Sequence, residues 1–86
     1  MRIAIVTGAA GGIGYAVTEN LIGQGCAVVG MNRRPYAEVA EKFDRFQDAF
    51  TYVKGDLSNA DDRATLLRTA VEKYGRVDIL VNVAGV

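Results

Sequence analysis

Thr7-Gly8-Ala9-Ala10-Gly11-Gly12-Ile13-Gly14 lies between an apolar run, Ile3-Ala4-Ile5-Val6, and a helical pattern. Strand, glycine turn, helix is the setting that a dinucleotide-binding turn requires. In that reading Gly8 takes the backbone angles of a tight turn leaving the strand. Gly12 has no side chain where a pyrophosphate would approach the main chain, and Gly14 lets the helix lie close against the strand. The free N–H groups near Gly12 and Ile13 then carry the positive end of the helix dipole toward the phosphates. The same stretch also reads as a plain turn between a strand and a helix, so the rest of the chain has to decide.

Outward from that turn, strand and helix alternate. Ile3 to Val6 is a continuous apolar run, as in a strand buried on both faces. Ile13, Val17 and Leu21, with Ala16 beside them, recur at helical spacing, and Gly25 is placed to end that helix. Ala27 to Met31 reads as a second strand, broken by Asn32-Arg33-Arg34-Pro35, where Pro35 suits the first turn of a second helix. Tyr36, Val39, Ala40, Phe43 and Phe46 form its apolar face. Phe50 to Lys54 reads as a third strand. Ser58 with Asp61 resembles a capping box for a third helix. Ala60, Ala64, Leu67, Val71 and Tyr74 follow at helical spacing, with Gly75 as the cap. Val77 to Val83 is a fourth strand.

This alternation implies an α/β fold of three layers: a doubly wound parallel sheet with right-handed crossovers and strand order 3-2-1-4. The first two helices should cover one face and the third the other. The carboxyl ends of strands 1 and 4 then flank the switch point. The glycine turn and Asn82-Val83-Ala84-Gly85 meet there, at the crevice where such sheets bind ligands.

The 86 residues read as one domain, a dinucleotide-binding unit over residues 1–86. Half the residues are hydrophobic, against disorder, and ten basic residues balance ten acidic ones. Nothing in that balance marks a nucleic-acid or membrane-surface partner. There is no histidine and one cysteine, Cys26. A histidine base is therefore excluded, no zinc set is on offer, and Cys26 reads as a buried thiol in a reducing compartment. The first strand starts too early for a signal peptide, and no apolar run is long enough for a membrane span. The expected location is the cytoplasm.

An Asp or Glu at the end of strand 2 would bond the adenosine ribose and select NAD. This chain has Asn32 followed by Arg33 and Arg34. Two guanidinium groups suit bidentate recognition of a 2′-phosphate, so NADP is the preferred cofactor and NAD the alternative. A solvated Arg pair in a turn is the other reading. Asp56, at the end of strand 3, is placed either to accept from an adenine amino group or to shape a turn. The pair Asp61-Asp62 reads as acidic residues at a helix N-terminus rather than a metal site. Tyr15, Tyr36, Tyr52 and Tyr74 read as packing residues, and none is followed four residues on by a lysine.

Three segments together resemble the short-chain dehydrogenase/reductase family. Thr7 to Gly14 is similar to its TGxxxGxG signature. Gly55-Asp56-Leu57-Ser58 resembles the segment that sets an Asp beside the adenine ring. Val77-Asp78-Ile79-Leu80-Val81-Asn82-Val83-Ala84-Gly85 resembles its D-x-L-V-N-N-A-G strand. The resemblance implies a Rossmann-type fold and cofactor contacts at Gly8, Gly11, Gly12, Ile13, Gly14, Asn32, Arg33, Asp56, Leu57, Asn82, Ala84 and Gly85. Arg33 matches the basic residue of NADP-preferring members. Two positions depart: Val83 stands for the second Asn of NNAG, and Gly11 stands where NADP-preferring members often carry Arg or Lys.

Family members are about three times as long, above the usual domain size of about 100–150 residues. Their catalytic Ser, Tyr and Lys follow strand 4, and no Tyr-x-x-x-Lys occurs in these 86 residues. The resemblance therefore implies the amino-terminal, cofactor-binding half of an oxidoreductase that passes hydride between nicotinamide and a carbonyl or alcohol, inactive by itself. The alternative is a stand-alone, non-catalytic dinucleotide-binding or association module. Strand 4 should form a sheet edge. Its run Ile79-Leu80-Val81-Asn82-Val83 carries no Lys or Pro to blunt it, which points to homo-oligomers formed through that edge.

Overall fold

A computed structural model describes residues 1–83. The chain runs β1 (Ile3–Thr7), α1 (Gly12–Gly23), β2 (Ala27–Asn32), α2 (Tyr36–Phe43), a 3-10 segment (Asp44–Ala49), β3 (Phe50–Lys54), α3 (Ala60–Tyr74) and β4 (Ile79–Asn82). The strands form one sheet in the order β3-β2-β1-β4. All pairings are parallel, with Ile3 opposite Ala27, Ala4 opposite Ile79 and Val28 opposite Phe50. Every residue of β1 is buried, as its unbroken apolar run requires.

Side chains alternate across the sheet, and each face has its own core. On one face Ala4, Val6 and Val28 pack with Val39 and Phe43 of α2, joined by Tyr15, Val17 and Leu21 of α1. On the other, Ile5, Val29, Met31 and Val53 pack under Leu66 and Ala70 of α3. Two helices on one face and one on the other give the expected three layers. The first core is closed by aromatic rings: Phe43 and Phe50 stack at 4.2 Å between centroids, 4° from parallel. Such a pair adds about 0.5–1.5 kcal/mol beyond its buried area.

Five local expectations are corrected. The second helix stops at Phe43, and Phe46 sits in the following 3-10 segment, where Gln47 adopts φ 49° and ψ −126°. Pro35 precedes that helix as its cap rather than entering its first turn. The third helix is capped by Asn59, whose side chain accepts from the Asp62 N–H at 3.0 Å. Ser58 instead donates to Asp56, so the expected Ser58–Asp61 box does not form. The buried stripe of α3 is Leu66 and Ala70, while Leu67 and Val71, one step round the helix, stay 53% and 47% exposed. The sheet beneath α3 sets which flank is buried, whereas the helical spacing points to the flank of Leu67 and Val71. The fourth strand also starts at Ile79 rather than Val77, because Asp78 is bonded to Ile3 just outside the ladder.

Candidate dinucleotide cleft

A cleft of about 710 Å³ opens at the carboxyl ends of β1, β2 and β3. Thr7, Gly8 and Gly11 form its floor on the side of the glycine turn. Met31, Asn32 and Arg33 come from the end of β2. Gly55, Asp56, Leu57 and Ser58 form the opposite lip, and Val83 borders it just past β4. The cleft thus lies more toward β2 and β3 than a meeting of strands 1 and 4 alone suggests.

The turn is held by main-chain bonds. The Gly8 and Ala9 N–H groups both donate to the Met31 carbonyl, at 2.9 and 3.2 Å, and the Gly11 N–H donates to the Gly8 carbonyl at 3.1 Å. Gly8 has φ 72°, open to glycine at no steric penalty. A Cβ on Gly14 would fall 1.9 Å from the Gly8 carbonyl oxygen, so the turn and helix touch there backbone to backbone.

The mouth of α1 suits an anion. Its cap residue, Gly11, makes no side-chain bond, and no acidic residue stands in its first turn. The α3 terminus is the reverse, capped by Asn59 and carrying Asp61 and Asp62. A Cβ on Gly12 would meet no protein atom within 4 Å, so packing does not require glycine there and the space above the turn is open. Unfilled N–H groups at the positive end of the dipole, with no competing carboxylate, fit the phosphates of a dinucleotide.

At the far lip Asp56 takes up one of its two expected roles, shaping the turn. Its Oδ1 accepts from the Ser58 N–H at 2.9 Å and the Ser58 hydroxyl at 2.8 Å, which shapes the turn. These bonds hold its carboxyl below the usual value of 3.8, with a smaller contribution from Arg33. Its Oδ2 remains toward the cleft, 4.0 Å from Nη1 of Arg33. Both side chains are exposed, 80% for Arg33 and 45% for Asp56, so the pair is weak and open to exchange for a ligand. Two side chains of α3 brace this lip from behind: Asp62 accepts from the Asp56 N–H at 2.9 Å, and Arg63 donates to the Leu57 carbonyl at 2.8 Å.

Of the residues expected at the cofactor, Gly8, Gly11, Asn32, Arg33, Asp56 and Leu57 line the cleft. Gly12, Ile13 and Gly14 stand beside it in the first turn of α1. The Ile13 side chain, 71% exposed, lines a shallow apolar groove with Ala16, Val17 and Leu21 rather than the cleft. Asn82 is not in the lining; its Oδ1 accepts from the Thr7 hydroxyl at 2.8 Å and ties β4 to β1. Ala84 and Gly85 lie outside the described residues. Five further lining residues, Thr7, Met31, Gly55, Ser58 and Val83, are not among the expected contacts. Thr7, Gly55, Ser58 and Val83 lie within the quoted motifs and Met31 lies near the end of β2; the strand register, with Thr7 opposite both Met31 and Asn82, sets these strand ends around one cleft.

Among the described residues there is no group of three or more metal-ligating side chains, and no helix is long and apolar enough to cross a membrane. A parallel sheet ordered 3-2-1-4, with a glycine turn at its switch point, defines a Rossmann-type dinucleotide-binding half-sheet. The family model for short chain dehydrogenase matches residues 2–86, and the chain belongs to that family. It is 40% identical to an uncharacterized oxidoreductase of Mycobacterium bovis, over 99% of this chain and 35% of that protein. An acetoacetyl-CoA reductase of Allochromatium vinosum is 38% identical, over 99% of this chain and 36% of its own length. A short chain dehydrogenase/reductase from Saccharomyces cerevisiae superposes with a TM-score of 0.90 at 31% identity, covering 100% of this chain and 34% of that one. A 3-ketoacyl-(acyl-carrier-protein) reductase from Brucella melitensis, solved in complex with NADH, gives 0.83 at 30% identity over 92% of this chain and 32% of its own. The chain therefore spans about a third of the length of these relatives.

Proposed function

We propose that the chain is the cofactor-binding portion of an oxidoreductase that passes hydride between a nicotinamide dinucleotide and a carbonyl or alcohol. The observation that carries this reading is the cleft itself: an uncapped, acid-free α1 terminus at one end and the Arg33–Asp56 pair at the other. The residues at the turn hold phosphate, and those at the far lip hold the adenosine end. The bound nicotinamide supplies hydride transfer, while the fold orients it. The NADH complex of the Brucella melitensis reductase supports the cofactor class.

NADP(H) is preferred over NAD(H). Arg33 is 80% exposed, stands at the cleft and has only the loose Asp56 contact to give up, and the carboxylate that would select NAD is replaced by Asn32. The 86 residues alone turn over no substrate, since they include neither a histidine nor a Tyr-x-x-x-Lys. A panel of ketones and aldehydes with NADPH, followed at the nicotinamide absorbance, checks this; turnover that tracks the chain through purification overturns it. The reading of a stand-alone module has no observation in its favour.

The β4 edge supports self-association, because Leu80 stands 68% exposed on β4, whose outer edge has no partner among the described residues. Buried, unpaired Cys26 supports a reducing compartment such as the cytoplasm. Calorimetric titration of the chain with NADPH and NADH tests the central reading. Saturable binding of either upholds it, and heat no greater than that from AMP alone overturns it.

A further inference from the structure

The glycine turn is gripped from outside by one side chain. Lys42, near the end of α2, extends its Nζ to the Ala10 carbonyl and donates to it at 2.7 Å. Among the described residues no main-chain donor reaches that carbonyl. The ammonium also lies 4.9 Å from the centroid of the Tyr15 ring, and the Tyr15 hydroxyl donates to the Lys42 carbonyl at 2.9 Å. The base of the lysine is firm, because α2 is anchored by Val39 and Phe43, each 1% exposed.

We propose that Lys42 is a positioning residue for dinucleotide binding: it fixes the Ala10–Gly11 peptide plane and so sets the aim of the α1 terminus. In a trans peptide the carbonyl and the next N–H point in opposite directions. Lys42 holds one end of this plane at the Ala10 oxygen. The Gly8 carbonyl holds the other end at the Gly11 N–H, at 3.1 Å. Rotation of the plane breaks both bonds at once. Gly11 is also the cap of α1, and its own carbonyl accepts from the Tyr15 N–H at 2.8 Å, so the orientation passes into the first turn of the helix. With the plane fixed, the free N–H groups need no reordering when an anion arrives. The inference rests on the cleft being a dinucleotide site, and the effect falls on the phosphates common to both cofactors, away from Arg33.

The test uses the 86-residue chain, its Lys42→Met, Lys42→Arg and Tyr15→Phe variants, and both NADH and NADPH. Loss of a charged donor should weaken both cofactors by one common factor of about tenfold. Lys42→Arg, which can still donate to the carbonyl, should bind within about twofold of the parent. Tyr15→Phe keeps the ammonium contact and should bind as the parent does. Without ligand, amide exchange at Gly11 should quicken in Lys42→Met and recover in Lys42→Arg, while β1 and β2 stay protected. Lys42→Gln serves the same comparison should the apolar variant fail to fold. Unchanged affinity and Gly11 exchange in Lys42→Met overturn the proposal, as does a loss confined to NADPH. Equal weakening in Tyr15→Phe overturns it too, by assigning the effect to helix docking. A parent chain that binds neither dinucleotide overturns the reading of the cleft instead, and Gly11 exchange then decides the grip of Lys42 by itself.

Discussion

Asp78 and Ile3, 75 positions apart, are bonded twice: the Ile3 N–H donates to the Asp78 carboxylate at 2.8 Å, and the Asp78 N–H donates to the Ile3 carbonyl at 2.8 Å. They pin β4 to β1 at the end opposite the cleft, as Thr7 and Asn82 do beside it. The Arg76 guanidinium, bonded to both carboxylate oxygens, and then the Ile3 N–H hold the Asp78 carboxyl below its ordinary value of 3.8. A carboxyl depressed in the folded state stabilises it above the unfolded-chain value, and that stabilisation is lost as pH falls through the lower folded value. Asp78→Ala should therefore unfold at lower urea than the parent at pH 7. The gap should close only below about pH 3.8. A gap that stays constant through that window would show that the charge is not the source.

Gly14 and Gly12 should separate folding from binding. Gly14→Ala drives a Cβ into the Gly8 carbonyl at 1.9 Å and should lower stability by at least about 2 kcal/mol. Gly12→Ala meets nothing within 4 Å and should stay within about 0.5 kcal/mol of the parent. Gly12→Asp should fold equally well yet lose about tenfold or more in cofactor affinity, since it places an anion at the positive end of α1. Urea melts beside calorimetric titrations check all three; cofactor affinity unchanged by the aspartate would count against phosphate binding at this turn.

Arg33→Ala should distinguish the two cofactors. A charged bond to a 2′-phosphate is worth about 1.5–3 kcal/mol, so NADPH binding should weaken by that amount while NADH binding changes little. Equal weakening of both would mean that Arg33 does not read the phosphate.

Gln47 carries a positive φ of 49° with ψ −126°, a conformation suited to glycine in a tight turn. Its side chain is exposed and leads the chain into β3. Gln47→Gly should raise stability by about 1 kcal/mol, the relieved strain exceeding the added chain entropy. A lower thermal midpoint for the variant would contradict this.

Leu80→Lys should shift any assembly toward monomer. Leu80 is 68% exposed on the edge strand, whereas its neighbour Val81 packs against the α1 core, so lysine is tolerated at 80 and not at 81. Sedimentation at several concentrations checks it, and a parent chain that stays monomeric at high micromolar concentration would remove the edge as an association surface.

The sequence by itself determined the order of elements, the strand order and the two ends of the cleft. Short continuous apolar runs at Ile3–Val6 and Ala27–Met31, each bounded by turn residues, read as strands buried on both faces, and the glycines at 8 and 14 answer local demands of one turn. These are short-range signals, written in neighbouring residues. Arg33 and Asp56 were legible as well, because each stands just past a strand end. Tertiary structure alone decided which α3 flank is buried and that Asn82 binds Thr7 instead of lining the cleft. It also brought Lys42 to Ala10 across 32 positions. Such choices depend on which distant backbone lies within about 3 Å of a side chain, a distance fixed by packing and register and carried by no local pattern.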